Sequence, residues 1–492
     1  MNALLIYPRF PDTFWSFKHA LSFQGKRAAQ PPLGLLTVAA LLPAKWNKRL
    51  IDTNVEKLKD SDLAWATVAF ISGMLVQQEH MLEIIDQCRV RGLRTVVGGP
   101  IASSLSSETL KADHVVIGEA EDLIGLLAYE LEQDRAQPQY RASERPSMQH
   151  SPLPDLSLIN MKRYNTMTVQ YSRGCPFSCE FCDIIEIYGR KPRTKAVAQV
   201  LAEFDQLYRA RWCGTVFIVD DNFIGNKKRA KELLVAMAEW NNAHGKPFRF
   251  LTEASLNMAD DPELLQMMKD AGFDAVFLGI ETPDELSLIA NHKLQNTQRD
   301  LLESIQQIQK YNIEVMAGFI LGFDTDREDV FDRMVEFIQK SAIPVAMVGL
   351  LQAMPGTQLF RRLRSEGRIL DSGGGNNTDC RLNFLPRMDA TRLVEGYRSV
   401  LQRIYSQDAY YERVKLMLSR CDLRSKGRLS YANVRAFFMS IIRQGVIGRK
   451  RFSYWKFLLS SALRNPRSFT VAMTFAVKGH HFQVMTNQIV EA

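Results

Sequence analysis

Cys175, Cys179 and Cys182 fall within one short stretch, Arg173-Gly174-Cys175-Pro176-Phe177-Ser178-Cys179-Glu180-Phe181-Cys182, at spacing C-x3-C-x2-C. Three thiolates this close can hold three corners of a four-iron cluster, and the fourth iron then lacks a protein ligand. Clusters that only carry electrons use four cysteines, so a set of three points to a small molecule bound and transformed at the open iron. Two plainer readings compete: three buried free thiols, or one arm of a zinc site. Zinc sites usually pair two such arms, and no second arm follows here.

A loop of this kind needs a rigid element to deliver it. The run Thr168–Ser172 reads as a strand ending just before the cysteines, and five further apolar strands follow: Thr215–Val219, Phe248–Glu253, Ala275–Ile280, Val315–Leu321 and Val345–Leu351. Amphipathic helical patterns lie between them, including Val197–Arg209, Arg229–Asn241, Pro262–Ala271, Thr297–Tyr311 and Arg327–Ser341. Six strand-helix repeats predict a partial β/α barrel, in which working residues sit at the C-terminal ends of the strands. The polar residues at those ends are Asp220, Asp221, Asn222, Glu253, Glu281 and Asp324. They could contact a cofactor, or Asp and Asn could simply cap the helices that follow.

The first 130 residues show the same alternation with shorter strands: Ala3–Tyr7, Leu50–Asp52, Val68–Ser72, Arg94–Val97 and His114–Ile117. The pattern predicts a doubly wound parallel sheet of Rossmann type, which takes ligands at its C-terminal strand ends. Gly73, Gly98, Gly99 and Gly118 lie at those ends, as does Glu119. Each glycine could serve a ligand or merely a turn. No G-x-G-x-x-G opens a helix, which disfavours a nicotinamide dinucleotide. The segment from 132 to 160 is polar and carries Pro138, Pro146, Pro152 and Pro154, so it reads as a linker. The expected division is 1–131 for the doubly wound unit, 132–160 for the linker, 161–370 for the barrel and 371–492 for a helical, basic C-terminal domain.

Composition sets the frame. A chain of 492 residues with 46% hydrophobic residues can build two or three globular domains. Seven cysteines, three of them clustered, do not suggest a secreted disulfide framework. There is no signal-peptide pattern and no apolar run of transmembrane length, so a cytoplasmic location is expected. The charge is uneven: residues 391–492 hold 18 Lys or Arg against five Asp or Glu, while the whole chain is only +8. A basic tail with interleaved aromatics, as in Arg449-Lys450-Arg451-Phe452-Ser453-Tyr454-Trp455-Lys456-Phe457, suits nucleic acid, an anionic membrane surface, or a solvated face.

The cysteine spacing after a first barrel strand, with Phe181 just before the last cysteine, resembles the signature of radical S-adenosylmethionine enzymes. An N-terminal doubly wound domain ahead of the barrel is similar to the cobalamin-binding subclass, as are Val219-Asp220-Asp221-Asn222-Phe223, Gly279-Ile280-Glu281 and Pro355-Gly356-Thr357-Gln358-Leu359. Asn376-Asn377-Thr378, Asn383-Phe384, Tyr410-Tyr411-Glu412-Arg413 and Tyr454-Trp455-Lys456-Phe457 resemble a narrower group that includes the hopanoid C-2 methylases. The resemblance implies three cofactors: a [4Fe-4S] cluster on Cys175, Cys179 and Cys182, S-adenosylmethionine and cobalamin. For S-adenosylmethionine it implies contacts from Phe181, Asp220, Asp221, Asn222, Glu253 and Glu281, and from the Gly318-x-Ile320-x-Gly322 stretch near the adenine. Where the longer form of that stretch carries Glu, this chain has Thr325. For cobalamin it implies Gly73, Gly98, Gly99, Gly118 and Glu119. The D-x-H-x-x-G motif that supplies a cobalt-ligating histidine does not occur, and His80 reads as an ordinary helix residue, so cobalamin without a histidine ligand is expected.

The implied activity is C-methylation: a 5′-deoxyadenosyl radical takes hydrogen from an unactivated carbon, which methylcobalamin then methylates. The basic aromatic tail favours a hopanoid or other membrane-derived lipid as acceptor. The alternative is a radical cyclase, rearrangement or maturation enzyme acting on a tetrapyrrole, peptide or other natural-product precursor. No catalytic acid or base stands out. Expected partners are the small-molecule or lipid substrate, an external electron donor of flavodoxin or ferredoxin type, and a peripheral contact of the basic tail with the inner membrane face. Nucleic acid is disfavoured, because the tail reads as helical and the N-terminal unit holds only Cys88.

Overall fold

The computed structural model describes residues 1–376, 378–423, 431–464 and 466–491. Asn377, singled out above, lies outside the described residues. The N-terminal unit is a six-stranded parallel sheet built from β1 (Asn2–Tyr7), β2 (Asn47–Asp52), β3 (Val68–Ser72), β4 (Arg94–Gly98), β5 (His114–Ile117) and β6 (Gln139–Arg141), in the order β2-β1-β3-β4-β5-β6. Two apolar layers, one on each face, explain why the central strands read as continuous hydrophobic runs. The order reverses between β1 and β3, the place where sheets of this kind open a ligand crevice.

β6 corrects the linker reading of its segment. Despite the flanking prolines, residues 139–141 pair in parallel with Val115–Ile117, and Tyr140 is buried. Prolines on both sides leave this short edge strand room to form, since an edge needs donors on one side only.

The second unit is an open barrel of six parallel strands: β7 (Met167–Val169), β10 (Gly214–Ile218), β11 (Phe248–Ala254), β12 (Phe273–Glu281), β13 (Glu314–Leu321) and β14 (Ala346–Leu350). Between β7 and β10 lies a small antiparallel ribbon of β8 (Ser172–Arg173) and β9 (Arg193–Thr194). The first barrel strand is therefore shorter than the expected Thr168–Ser172. The Tyr171 and Ser172 amides leave the sheet to donate to the Asp220 carboxylate at 2.8 and 2.9 Å. Along β13, Val315, Ala317, Phe319 and Leu321 are buried, while Met316, Gly318 and Ile320 keep partial access on the other side. The same alternation places Phe217, Leu251, Glu253, Phe277 and Gly279 toward a common lumen.

The C-terminal unit is helical: Ala390–Tyr405, Gln407–Arg420, Tyr431–Ser440 running into a π-turn at Ile441–Val446, Arg451–Arg464 and Phe469–Glu491. It is bolted to the barrel by buried polar groups. The Tyr405 hydroxyl donates to the Ala346 carbonyl at 2.6 Å, and the fully buried Arg413 donates to the Ile404 carbonyl at 2.8 Å and to Gln339. Tyr411 stacks on Phe457 with ring centroids 4.2 Å apart. The tyrosine-rich motif of this region is thus an internal joint.

A segment after β1 leaves the first sheet and reaches both other units. Phe14 is buried against Tyr405 and Phe482, and its carbonyl accepts from His481 Nε2 at 3.0 Å. Its neighbour Trp15 lies on the lumen-facing Phe277, centroids 4.7 Å apart.

Candidate cofactor site

The cysteine loop is shaped by the acidic residues that follow β10. Asp220 spends both carboxylate oxygens on the exit of β7, taking the Tyr171 amide, the Ser172 amide and the Ser172 hydroxyl, the last at 2.7 Å. Asp221 accepts from the Gly174 amide at 3.0 Å. Gly174 has φ +94°, and a Cβ there would sit 2.7 Å from the Gly189 carbonyl oxygen, so only glycine fits. Burial pushes the Asp220 carboxyl up to about 7, against the hydrogen bonds from Ser172 and Tyr171, and that of Asp221 up to about 6. These two residues build the loop from behind.

Two side-chain amides point at the sulfurs. Asn222 Nδ2 lies 3.8 Å from Cys175 Sγ, and Gln295 Nε2 lies 3.6 Å from Cys179 Sγ. Glu180, between the last two cysteines, pairs with Arg362 at 2.6 Å, and its carbonyl accepts from the Leu359 amide at 2.9 Å. Leu359 and Arg362 lie on the helix Gln358–Ser365, which Thr357 caps through the Phe360 amide. The Pro-Gly-Thr stretch therefore works by seating a helix on the cysteine loop. Burial raises the thiols of Cys175 and Cys182. Three thiols on one loop with donors aimed at two of them suit a cluster that takes up the thiolate charge. Among the described residues no three His, Cys, Asp or Glu side chains converge as ligands of a single ion would. The corners of a four-iron cluster are spaced more widely than that.

Next to the loop sits a buried ion pair. Lys293 Nζ lies 2.6 Å from Glu281 Oε1, with side-chain exposures of 12% and 9%. Burial alone would lower the lysine, but Glu281 and the thiols of Cys179 and Cys182 outweigh it and hold the ammonium charged. Glu281 has φ +67°, and a Cβ on Gly279 would sit 2.3 Å from its Oε1, so the glycine makes room for the pair. Glu253 differs from the other acids. Its carboxyl has no hydrogen-bond or ion-pair partner among the described residues, and burial, with Asp221 and Asp220 nearby, pushes it up to about 8. It is the carboxyl left available to a cation in the lumen.

The remaining sequence candidates divide. Phe181 and Ile320 share one small apolar cluster with Phe323 and Leu359. Gly318 lies under the Phe277 ring, whose Cζ would be 3.1 Å from an added Cβ. Gly322, with φ +107°, is a turn residue, its amide donating to Asp326 Oδ2 at 2.8 Å. Asp324 is taken up by Arg362 and Arg368. Thr325, at the position of the missing acid, pairs with Ser287.

In the N-terminal unit Gly73, Gly98, Gly99 and Gly118 line up at the ends of three neighbouring strands, β3, β4 and β5. A Cβ on Gly99 would sit 2.4 Å from Ser72 Oγ, whereas Gly118 opens onto free space. Glu119 faces away from that edge toward the barrel. It pairs with Arg173 at 2.7 Å and Arg193 at 2.5 Å, and Glu121 pairs with Arg173 at 2.7 Å. His80 Nδ1 accepts from the Arg9 amide at 2.9 Å, a structural bond at the β1 exit. Sequence reasoning missed Lys293, Gln295, Arg173, Arg193 and Trp15. Only Arg173 carried a local signal, standing two residues before the first cysteine.

Three families match successive parts of the chain: the B12 binding domain over residues 28–128, the radical SAM superfamily over 169–338, and a domain of unknown function, DUF4070, over 357–492. An uncharacterized methyltransferase of Synechocystis is 42% identical over 98% of this chain and 91% of its own length. The hopanoid C-2 methylase of Rhodopseudomonas palustris is 35% identical over 94% of this chain and 89% of its own. Among solved structures, the cobalamin-dependent S-adenosylmethionine radical enzyme OxsB shares the fold with a TM-score of 0.62 at 14% identity, covering 100% of this chain and 80% of OxsB. The radical S-adenosylmethionine methyltransferase TsrM of Kitasatospora setae does so with a TM-score of 0.59 at 14% identity, covering 90% of this chain and 99% of TsrM.

Proposed function

The chain belongs to the radical S-adenosylmethionine enzymes with a B12-binding domain, in the family of the hopanoid C-2 methylase, and from there we propose that it methylates an unactivated carbon of a hopanoid or another apolar, membrane-derived lipid. Its cofactors are a [4Fe-4S] cluster, S-adenosylmethionine and cobalamin. When bound, they supply hydrogen abstraction from carbon and a methyl group to replace the hydrogen.

The observation that carries the lipid reading is the lumen. Phe217, Leu251, Phe277 and Met316 give it apolar walls, and Trp15 leans over Phe277 from the N-terminal unit. Such a chamber favours a hydrocarbon and keeps water from the reacting carbon. In this reading Cys175, Cys179 and Cys182 hold the cluster while Asn222 and Gln295 donate to its sulfurs. Asp220 and Asp221 fix the loop geometry. Glu253 meets the positive charge of S-adenosylmethionine, and Lys293 keeps Glu281 neutralised and offers its remaining protons to the cofactor carboxylate. Phe181, Gly318 and Ile320 border the adenosine. Gly73, Gly98, Gly99 and Gly118 let the corrin ring and its tail approach the backbone. The corrinoid unit is taken as 1–131 together with the edge strand Gln139–Arg141, the barrel as 161–370 and the helical unit as 371–492. An external one-electron donor and a membrane contact by the basic helices complete the proposal.

The test is anaerobic reconstitution with iron, sulfide and hydroxocobalamin, then incubation with S-adenosylmethionine, a reductant and a lipid extract. A lipid heavier by one CH2 is the expected product, with 5′-deoxyadenosine formed alongside. 5′-Deoxyadenosine without a CH2 gain on any lipid would favour the cyclase or maturation alternative. Failure to form 5′-deoxyadenosine under all conditions would defeat the reading.

A further inference from the structure

Two consecutive helices of the C-terminal unit each leave an apolar stripe uncovered. On the first, Tyr431, Val434, Phe438 and Ile442 recur at the spacing of one helix face, and Tyr431 and Phe438 are 84% and 58% exposed. On the second, Phe452, Trp455, Leu459 and Leu463 repeat the same spacing, with Phe452 and Leu463 at 77% and 84%. The opposite face of the second helix is well packed, with Tyr454, Phe457 and Leu458 buried. Trp455 Nε1 donates to the Gly445 carbonyl at 3.0 Å, holding that helix to the π-turn of the first, which is tied down in turn by Arg435 on the Ser22 and Phe23 carbonyls. The stripes are therefore the outer side of an ordered hairpin.

Charge identifies what covers them. Between residues 431 and 467 there is no Asp or Glu and there are eight Lys or Arg. Two of these turn inward, Arg435 to the Ser22 and Phe23 carbonyls and Arg443 to the Ser22 hydroxyl. The other six, Arg449, Lys450, Arg451, Lys456, Arg464 and Arg467, are exposed around the stripes. A merely solvated basic face would not carry eight exposed large apolar side chains. A second copy of the chain fits poorly, since a two-fold contact would set cations against cations. No helix among the described residues is long and apolar enough to cross a membrane. Cations ringing an apolar, aromatic ridge match a surface that is anionic outside and hydrocarbon within.

We propose that the hairpin of Tyr431–Val446 and Arg451–Arg464 is the surface by which the protein lies on an anionic lipid bilayer. This deepens the lipid reading above and rests on it for its purpose: an enzyme taking an insoluble substrate gains from standing where the substrate is dissolved. Its physical grounds are independent of the reaction.

The experiment is co-sedimentation of the full cofactor-loaded protein with vesicles of phosphatidylcholine, alone or with phosphatidylglycerol added. Binding is expected only to the anionic vesicles and should fall with salt. Replacing Arg449, Lys450 and Arg451 by Ala should weaken it by at least about tenfold, and Phe452→Glu with Leu463→Glu should abolish it. Circular dichroism and retained cobalamin show whether each variant is folded; should the Glu pair fail to fold, the Ala triplet decides. No binding to anionic vesicles at low salt, or binding unaffected by the folded variants, would overturn the proposal. So would a dimer in light scattering that the Glu variants split. Turnover of detergent-dispersed lipid separates the two ideas. Variants that lose vesicles but keep 5′-deoxyadenosine formation leave the chemistry standing, and the reverse result leaves the docking surface standing.

Discussion

Lys293 sits where one positive charge is felt both by Glu281 and by the cysteine sulfurs. Removing it leaves a buried carboxylate without a partner, at a cost of roughly 3 kcal/mol. It should also make the cluster harder to reduce. We expect Lys293→Met to move the cluster midpoint more negative by on the order of 50 mV, read by redox titration with electron paramagnetic resonance, while Lys293→Arg restores most of it. Glu253 makes a different forecast. Its carboxyl, at about 8, binds a proton more tightly when folded than when unfolded. Stability from this group is full below the ordinary carboxylate value and is lost as pH rises toward 8. Cofactor-free protein should therefore melt at lower temperature as pH goes from 6 to about 8, and Glu253→Gln should flatten that slope. The cysteine set was legible because all its chemistry is local. Lys293 was not, because only the fold of the chain after β12 brings it to the sulfurs. Asp220 read as a cofactor contact because a strand-end acid looks the same in sequence whether it faces a ligand or a backbone amide.

The element that matters most between the two cofactor surfaces is the loop after β5. Glu119 and Glu121 reach across to Arg173, and the side-chain exposures are 2%, 3% and 12%. Burial would raise Glu121, but the guanidinium beside it holds its carboxyl below the usual range. Such a pair contributes stability above the ordinary carboxylate value and loses it as pH falls. Arg173→Met should cost roughly 3–5 kcal/mol at pH 7 in urea unfolding, and less near pH 5, where the abandoned Glu121 carboxyl can take a proton, Glu119 keeping Arg193 as its partner. Because Glu119 and Glu121 follow Gly118 just past the end of β5, loosening their loop should also lower cobalamin retention in the same variant. Most strands of both sheets were readable from their apolar runs. Gln139–Arg141 was not, since three residues between prolines carry no periodicity. The ribbon Ser172–Arg173 with Arg193–Thr194 escaped for the same reason, as its pairing is set by the Asp220 carboxylate.

At the scale of the molecule, the barrel and the helical unit share one continuous core that the segment after β1 enters, while the first sheet keeps its own two layers. Phe14 and Trp15 belong to the first sheet by sequence, yet one is buried among helices of the last unit and the other lies on the barrel lumen. Phe482→Ala should cost roughly 3 kcal/mol and expose residues 8–27 to limited proteolysis, although Phe482 lies far from the first sheet in sequence. Sequence periodicity names the three units but not this strap, because its anchoring partners lie hundreds of residues away.

The bond from His481 to the Phe14 carbonyl closes a loop across 467 positions. During synthesis the first sheet can form early, but the strap that crosses the lumen has no seat until residue 481 has left the ribosome. The chamber meant to confine a radical is thus finished last. A nascent chain halted before that point would hold its cysteine loop in an unlined barrel, open to oxygen, so the timing of cluster delivery should follow completion of the helical unit.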